Sequence, residues 1–95
     1  MKIEWSPEAI EDLVSLRDYI AEENPSAAKR IAHRINDCVE RLLSENPDMG
    51  RAGRVPGTRE LVVTGTPYIV PYRVKRNSLQ VLRVYHCARR WPDRF

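Results

Sequence analysis

Between Asn24 and Asn46 apolar residues return every three or four positions: Ala28, Ile31, Ala32, Ile35, Cys38, Val39, Leu42 and Leu43. Lys29, Arg30, His33, Arg34, Asp37 and Arg41 fall mostly between them. This spacing predicts an amphipathic helix with one continuous buried stripe. Asn24-Pro25 supplies a cap followed by a proline that suits the first turn, and Pro47 disfavours helix in Asn46. An earlier helix is predicted from about Pro7 to Glu22, with Ile10, Leu13, Leu16 and Ile20 on its buried face. Ser6 caps it, Pro7 opens it, and Glu8, Glu11 and Asp12 lie at the positive end of its dipole. The short connection at residues 22–24 makes the two helices an antiparallel hairpin.

Lys2–Trp5 reads as a short strand before the helices. After them, residues 47–58 form a loop punctuated by Pro47, Gly50, Gly53, Pro56 and Gly57, and carrying Arg51 and Arg54. Three strands follow, Arg59–Thr64, Tyr68–Lys75 and Leu79–Cys87, rich in Val, Leu, Ile and Tyr and joined by short turns. The order β-α-α-β-β-β predicts an α+β fold, an antiparallel sheet with the helical hairpin on one face and the other face open. The chain of 95 residues is long enough for a single domain spanning 1–95.

Alternation along the strands sorts the reactive side chains. Tyr68, Val70, Tyr72 and Val74 share one face, which leaves Arg73 on the other if that set is buried. In the last strand Leu82 and Val84 read as core, so His86 shares their side unless the strand ends or bulges there. His86 and Cys87 are adjacent and diverge, and His33 and Cys38 lie five apart on a helix; neither pair can share a tetrahedral metal alone. No metal or cofactor is expected. The same divergence separates the Cys87 thiol from the imidazole that would act as its base. For Arg59 the structural alternative to a chemical role is pairing with Glu60, beside it in sequence, or with another partner carboxylate.

Composition adds a polarity along the chain. With 42% apolar and 31% charged residues this is an ordinary globular composition, without an apolar run of membrane-spanning length or a signal peptide's core. The cytoplasm is the expected compartment, and two cysteines without a CxxC pair fit it. Residues 1–50 hold 6 Lys+Arg and 11 Asp+Glu, a balance of −5; residues 51–95 hold 10 and 2, or +8, giving the total of +3. Nine of those ten cations are arginine, the side chain suited to bidentate contact with carboxylate or phosphate. An anionic partner for the C-terminal half is therefore expected.

The ordered series Trp5-Ser6-Pro7, Asn24-Pro25, Gly50-Arg51, Thr58-Arg59-Glu60-Leu61, Tyr68-Ile69-Val70-Pro71-Tyr72-Arg73-Val74 and Leu82-Arg83-Val84-Tyr85-His86, leading to Ala88-Arg89, resembles RelE/ParE-type bacterial toxins across the whole chain. The resemblance implies a growth-inhibiting toxin of a type II toxin–antitoxin system, of the kind linked to plasmid stabilisation. It implies neutralisation by an antitoxin with an acidic, partly disordered segment, in a hetero-oligomer. RelE-like members cut mRNA on the ribosome, whereas ParE-like members poison DNA gyrase without nuclease activity. The arginine that ribonuclease relatives carry after the first tyrosine of the third strand corresponds to Ile69 here. Their second-strand lysines are also missing, which brings the chain closer to the ParE-like branch. On that branch Arg59, Arg73, Arg83, Tyr85, His86, Arg89, Arg90 and Trp91 are the expected docking surface for target or antitoxin, with Trp91 anchoring the tail. On the endonuclease branch His86, with Arg59, Arg73 and Arg89, would be catalytic.

Overall fold

The computed structural model describes all 95 residues. Strand β1 (Lys2–Trp5) leads into helices α1 (Pro7–Ala21) and α2 (Pro25–Asp37), the latter continuing as a π-helical segment, Cys38–Leu43. Strands β2 (Arg51–Ala52), β3 (Arg59–Val62), β4 (Tyr68–Lys75), β5 (Ser78–Val81) and β6 (Tyr85–His86) complete the order. The sheet runs β1-β5-β4-β3-β2, with β6 pairing the far end of β4. The α+β class agrees with the sequence reading, but the sheet is mixed, because β1 lies parallel to β5 while the other pairs are antiparallel. A chain that leaves one edge strand, crosses the sheet face in two helices and returns through a meander brings its first strand beside the last long one.

The predicted caps are present. Ser6 Oγ accepts from the Ala9 amide at 3.0 Å and Asn24 Oδ1 from the Ala27 amide at 3.1 Å. One helical register differs from the expectation: Ala9, with no exposed surface, takes the core position and Ile10 is 51% exposed. Ala9, Leu13, Leu16 and Ile20 keep the i, i+4, i+7 spacing that a straight helix needs, and Ile10 falls off that line.

Leu16, Ile35, Val39 and Leu43 pack on Leu61, Val63, Val70, Tyr72, Leu79 and Val81 to form the core between hairpin and sheet. Tyr72 is fully buried, and its hydroxyl donates to the Pro47 carbonyl at 2.7 Å while accepting from the Gly50 amide at 2.9 Å. A Cβ on Gly50 would sit 2.5 Å from that oxygen, so only glycine lets the loop close over the ring.

The second sheet face is not left open, in contrast to the sequence expectation. Its middle is closed by the 51–57 loop and its β6 end by the C-terminal residues. The β4–β5 hairpin end remains uncovered, as does Val62 at the end of β3. No helix is long and apolar enough to cross a membrane.

Candidate functional site

The predicted last strand breaks at Leu82–Val84. Tyr72 pairs Val81 and Ile69 pairs Tyr85, so three residues on one side span two on the other, a one-residue bulge. Leu82 donates its amide to the Pro71 carbonyl at 2.9 Å. Pro71 has no amide to return on that side, so the ladder cannot continue regularly. Asp12 of α1 fixes the break: its carboxylate accepts from Arg83 Nε at 2.7 Å, Arg83 Nη2 at 2.9 Å and the Val84 amide at 3.0 Å. The hydrogen bond to Asp12 raises the Arg83 pKa, against partial desolvation.

The bulge reverses the alternation. Leu79 and Val81 face the core before it and Val84 after it, so Tyr85 turns onto the second face opposite Ile69. His86 takes the helix-bearing side opposite Tyr68, but at the strand end, where it is exposed. Its ring meets Tyr68 edge-on with centroids 5.6 Å apart, and Nδ1 accepts from the Ala88 amide at 3.1 Å. Burial, and after it Tyr19, raises the pKa of the Tyr68 phenol.

The candidate catalytic residues are only partly brought together. Arg59 and Arg73 line one hollow of about 290 Å³ with Asp48 and Thr58. Arg59 does not pair with Glu60: its guanidinium donates to the Gly50 carbonyl at 2.9 Å and lies 3.8 Å from the Asp48 carboxylate. Arg73 has its Nε out of solvent with no acceptor. His86 lies at the other end of β4 and on the other face; Tyr68, which it opposes, is about 17 Å from Arg73 at the ordinary strand rise. Arg89 lies at that far end too, over the Tyr85 ring at 4.3 Å.

Tyr85 is the centre of a small aromatic cluster on the second face. Trp91 stands edge-on to it at 5.1 Å and Phe95 is tilted over it at 6.2 Å. Arg83 also lies over Tyr85, at 4.8 Å, and Arg54 lies over Trp91 at 4.0 Å. Trp91 therefore does anchor the tail, on the second face and not on the main core. Glu60, 1% exposed, holds the adjoining loop through Arg51 Nη2 at 3.0 Å, the Arg54 amide at 2.7 Å and Arg54 Nε at 3.5 Å.

These contacts divide the C-terminal cations. Arg51, Arg54, Arg59 and Arg83 are engaged by carboxylates of the chain itself. Arg73, Lys75 and Arg76 at the hairpin end, and Arg89, Arg90 and Arg94 at the tail end, form no ion pair. Arg83 is paired with Asp12, yet it still lines a tail-end depression together with Arg89, Arg90, Trp91, Arg94 and Phe95. Sequence reasoning missed Lys75, Arg76 and Arg94 as unpaired cations and Asp12 and Glu60 as anchors. No group of three or more His, Cys, Asp or Glu is placed to share a metal ion.

With this geometry in view, relatives give it a context. Residues 3–91 match the family described as the ParE toxin of the type II toxin–antitoxin system parDE. The chain is 41% identical over 92 residues to the protein Y4kP of Sinorhizobium fredii, covering 97% of this chain and 94% of the relative. It is 36% identical over 88 residues to toxin RelE2 of Caulobacter vibrioides, covering 93% and 97%. In three dimensions it superposes on a chain of the chromosomal ParDE system from P. aeruginosa with a TM-score of 0.82 and 31% identity, over 90% of this chain and 95% of that one. A YoeB/ParE toxin from Agrobacterium tumefaciens gives a TM-score of 0.61 at 20% identity, over 90% and 98%, and so shares the fold. The helical hairpin on a small mixed sheet defines a toxin domain of the RelE/ParE superfamily. Within that superfamily, the chain belongs to the ParE toxin family of type II toxin–antitoxin systems.

Proposed function

We propose that this toxin acts by binding DNA gyrase and blocking it, and that an antitoxin neutralises it by laying an acidic segment along the tail-end arginines. The observation that carries the reading is the separation of His86 from Arg73. A metal-free endonuclease needs its proton-transfer group and its phosphate-stabilising cations around one phosphate, within hydrogen-bond reach. Here His86 lies about 17 Å from Arg73 and on the opposite face, at the far end of β4 from the hollow that Arg59 and Arg73 line, so that of the candidate cations only Arg89 is near it. Ile69, where ribonuclease relatives carry arginine, is buried opposite Tyr85 and offers no charge. Membership of the ParE family supports gyrase as the target, and the ParDE partnership named for the P. aeruginosa relative supports an antitoxin. Arg89 and Arg90 suit an acidic, disordered partner, since opposite charge speeds encounter before folding on the surface.

The test is to induce the chain alone and follow DNA breaks, supercoiling and mRNA integrity in the same cells. Gyrase-dependent breaks with intact mRNA are the expected result. His86→Gln should then reduce growth inhibition by less than about tenfold, the scale of one exposed interface contact. Ribosome-dependent mRNA cleavage, abolished by His86→Gln through the loss of about 10²–10⁴-fold of acid–base catalysis, would overturn the proposal.

A further inference from the structure

We propose that the β4–β5 hairpin end of the second sheet face binds the phosphodiester backbone of duplex DNA, independently of sequence, through Lys2, Lys75 and Arg76. The register places Lys2 opposite Ser78 and Ser78 opposite Lys75, so these three side chains form one row across β1, β5 and β4. Directly opposed residues share a face, and neighbouring strands lie about 4.8 Å apart, which sets the two lysines about 10 Å from each other. Arg76 and Asn77 close the hairpin at the end of the row. Together with Ser78 and Gln80 these residues line a wide, shallow hollow of about 810 Å³.

Three features select the ligand. First, none of the three cations is engaged by a carboxylate of the chain; the acid on the same face of β1, Glu4, lies one row further on beside Gln80 and is itself unpaired. Second, no apolar residue lines the hollow. A docking peptide would find no apolar side chain to pack on, only the aliphatic stems of the cations, and a single-stranded nucleic acid would have no ring to stack on. A duplex backbone requires only charge and hydrogen-bond donors, which the three cations and the side-chain amides of Asn77 and Gln80 supply. Third, Arg76 sits in the left-handed region at φ 51°, a conformation that glycine or asparagine adopts far more readily. The turn carries a cation where a turn residue would be less strained, and such strain persists where the side chain has a use.

The experiment measures binding of a fluorescent mixed-sequence DNA duplex to the purified toxin by anisotropy, from about 50 to 200 mM salt. Affinity should fall log-linearly with salt. The variant K2Q/K75Q/R76Q should reduce that slope by about 2.7, three phosphate contacts at about 0.9 each. Arg76→Asn alone should reduce it by about 0.9 while relieving the turn, which separates loss of charge from loss of fold. Glu4→Gln should tighten binding by removing a nearby negative charge. An unchanged slope in the triple variant would overturn the proposal, as would failure to bind the duplex. Tighter binding of a single-stranded RNA or an acidic peptide than of the duplex would reassign the site to that partner. The assay contains no gyrase, so its failure leaves the target reading intact, and gyrase inhibition by the triple variant leaves this one intact.

Discussion

At the scale of single residues, adjacency in sequence misleads where alternation does not. Arg59 and Glu60 are neighbours and of opposite charge, yet successive strand residues point to opposite faces. Glu60 turns to the second face and holds the loop arginines, while Arg59 reaches the Asp48–Gly50 backbone on the helix side. The alternation was available in the sequence; the loop's return over Glu60 was not, because it depends on glycine-rich turns. Tyr72 is a second residue whose role comes from that return. Burial raises its pKa, opposed in smaller measure by the Gly50 amide and by Arg59. A phenol whose folded pKa lies above the unfolded value near 10 contributes fully at lower pH. That contribution is lost as pH rises through the folded value, because the unfolded chain releases its proton first. Denaturant titrations should therefore show stability falling above about pH 10, by at most about 1.4 kcal/mol per pH unit from this phenol. Tyr72→Phe should flatten that fall and, by orphaning the buried Gly50 amide, lower stability at neutral pH by about 1–3 kcal/mol. An alkaline fall as steep in the variant as in the native chain would assign it to other groups.

At the scale of elements, the bulge between β5 and β6 decides the character of the C-terminal third. Both helices and strands β1, β3 and β4 were legible from their apolar periods and explicit caps, whereas β2 fell inside the segment read as a loop. A bulge shifts alternation by one residue without any change of composition, so Leu82–Cys87 could be read only as core or as a break. Pro71 was the available sign: a proline inside a paired strand implies that one neighbour lacks its donor. What the sequence could not show is that Asp12, apparently a residue for the helix dipole, crosses to close the gap. Its two oxygens satisfy a guanidinium and the Val84 amide of the bulge, both largely shielded from water. Asp12→Ala should accordingly cost about 3 kcal/mol, at the low end for breaking a shielded pair. Equilibrium unfolding of the single and double variants with Arg83→Ala checks this. A coupling energy near zero would mean that the carboxylate acts only as a helix-terminal charge.

At the scale of the molecule, the charge asymmetry of the sequence turns into a spatial division. Four of the ten C-terminal cations are spent on internal carboxylates, and the remaining six gather at the two ends of β4. That eight-residue strand separates its ends by about 23 Å, nearly three times the screening length of about 8 Å at physiological salt. The ends also differ in surroundings: Arg89, Arg90 and Arg94 flank an aromatic cluster, whereas Lys2, Lys75 and Arg76 surround a hollow with no apolar residue in its lining. An acidic protein segment with apolar side chains gains from the first and a phosphate backbone from the second. The two surfaces should therefore respond separately. R89Q/R90Q/R94Q should slow association with the antitoxin's acidic segment in stopped-flow mixing while leaving the salt dependence of duplex binding unchanged. K2Q/K75Q/R76Q should do the reverse, and the combined variant should show both losses, additive in log units because the sites lie beyond mutual screening distance. If either set changed both readouts equally, the cations would act as one diffuse field, and the division into two docking surfaces would fail.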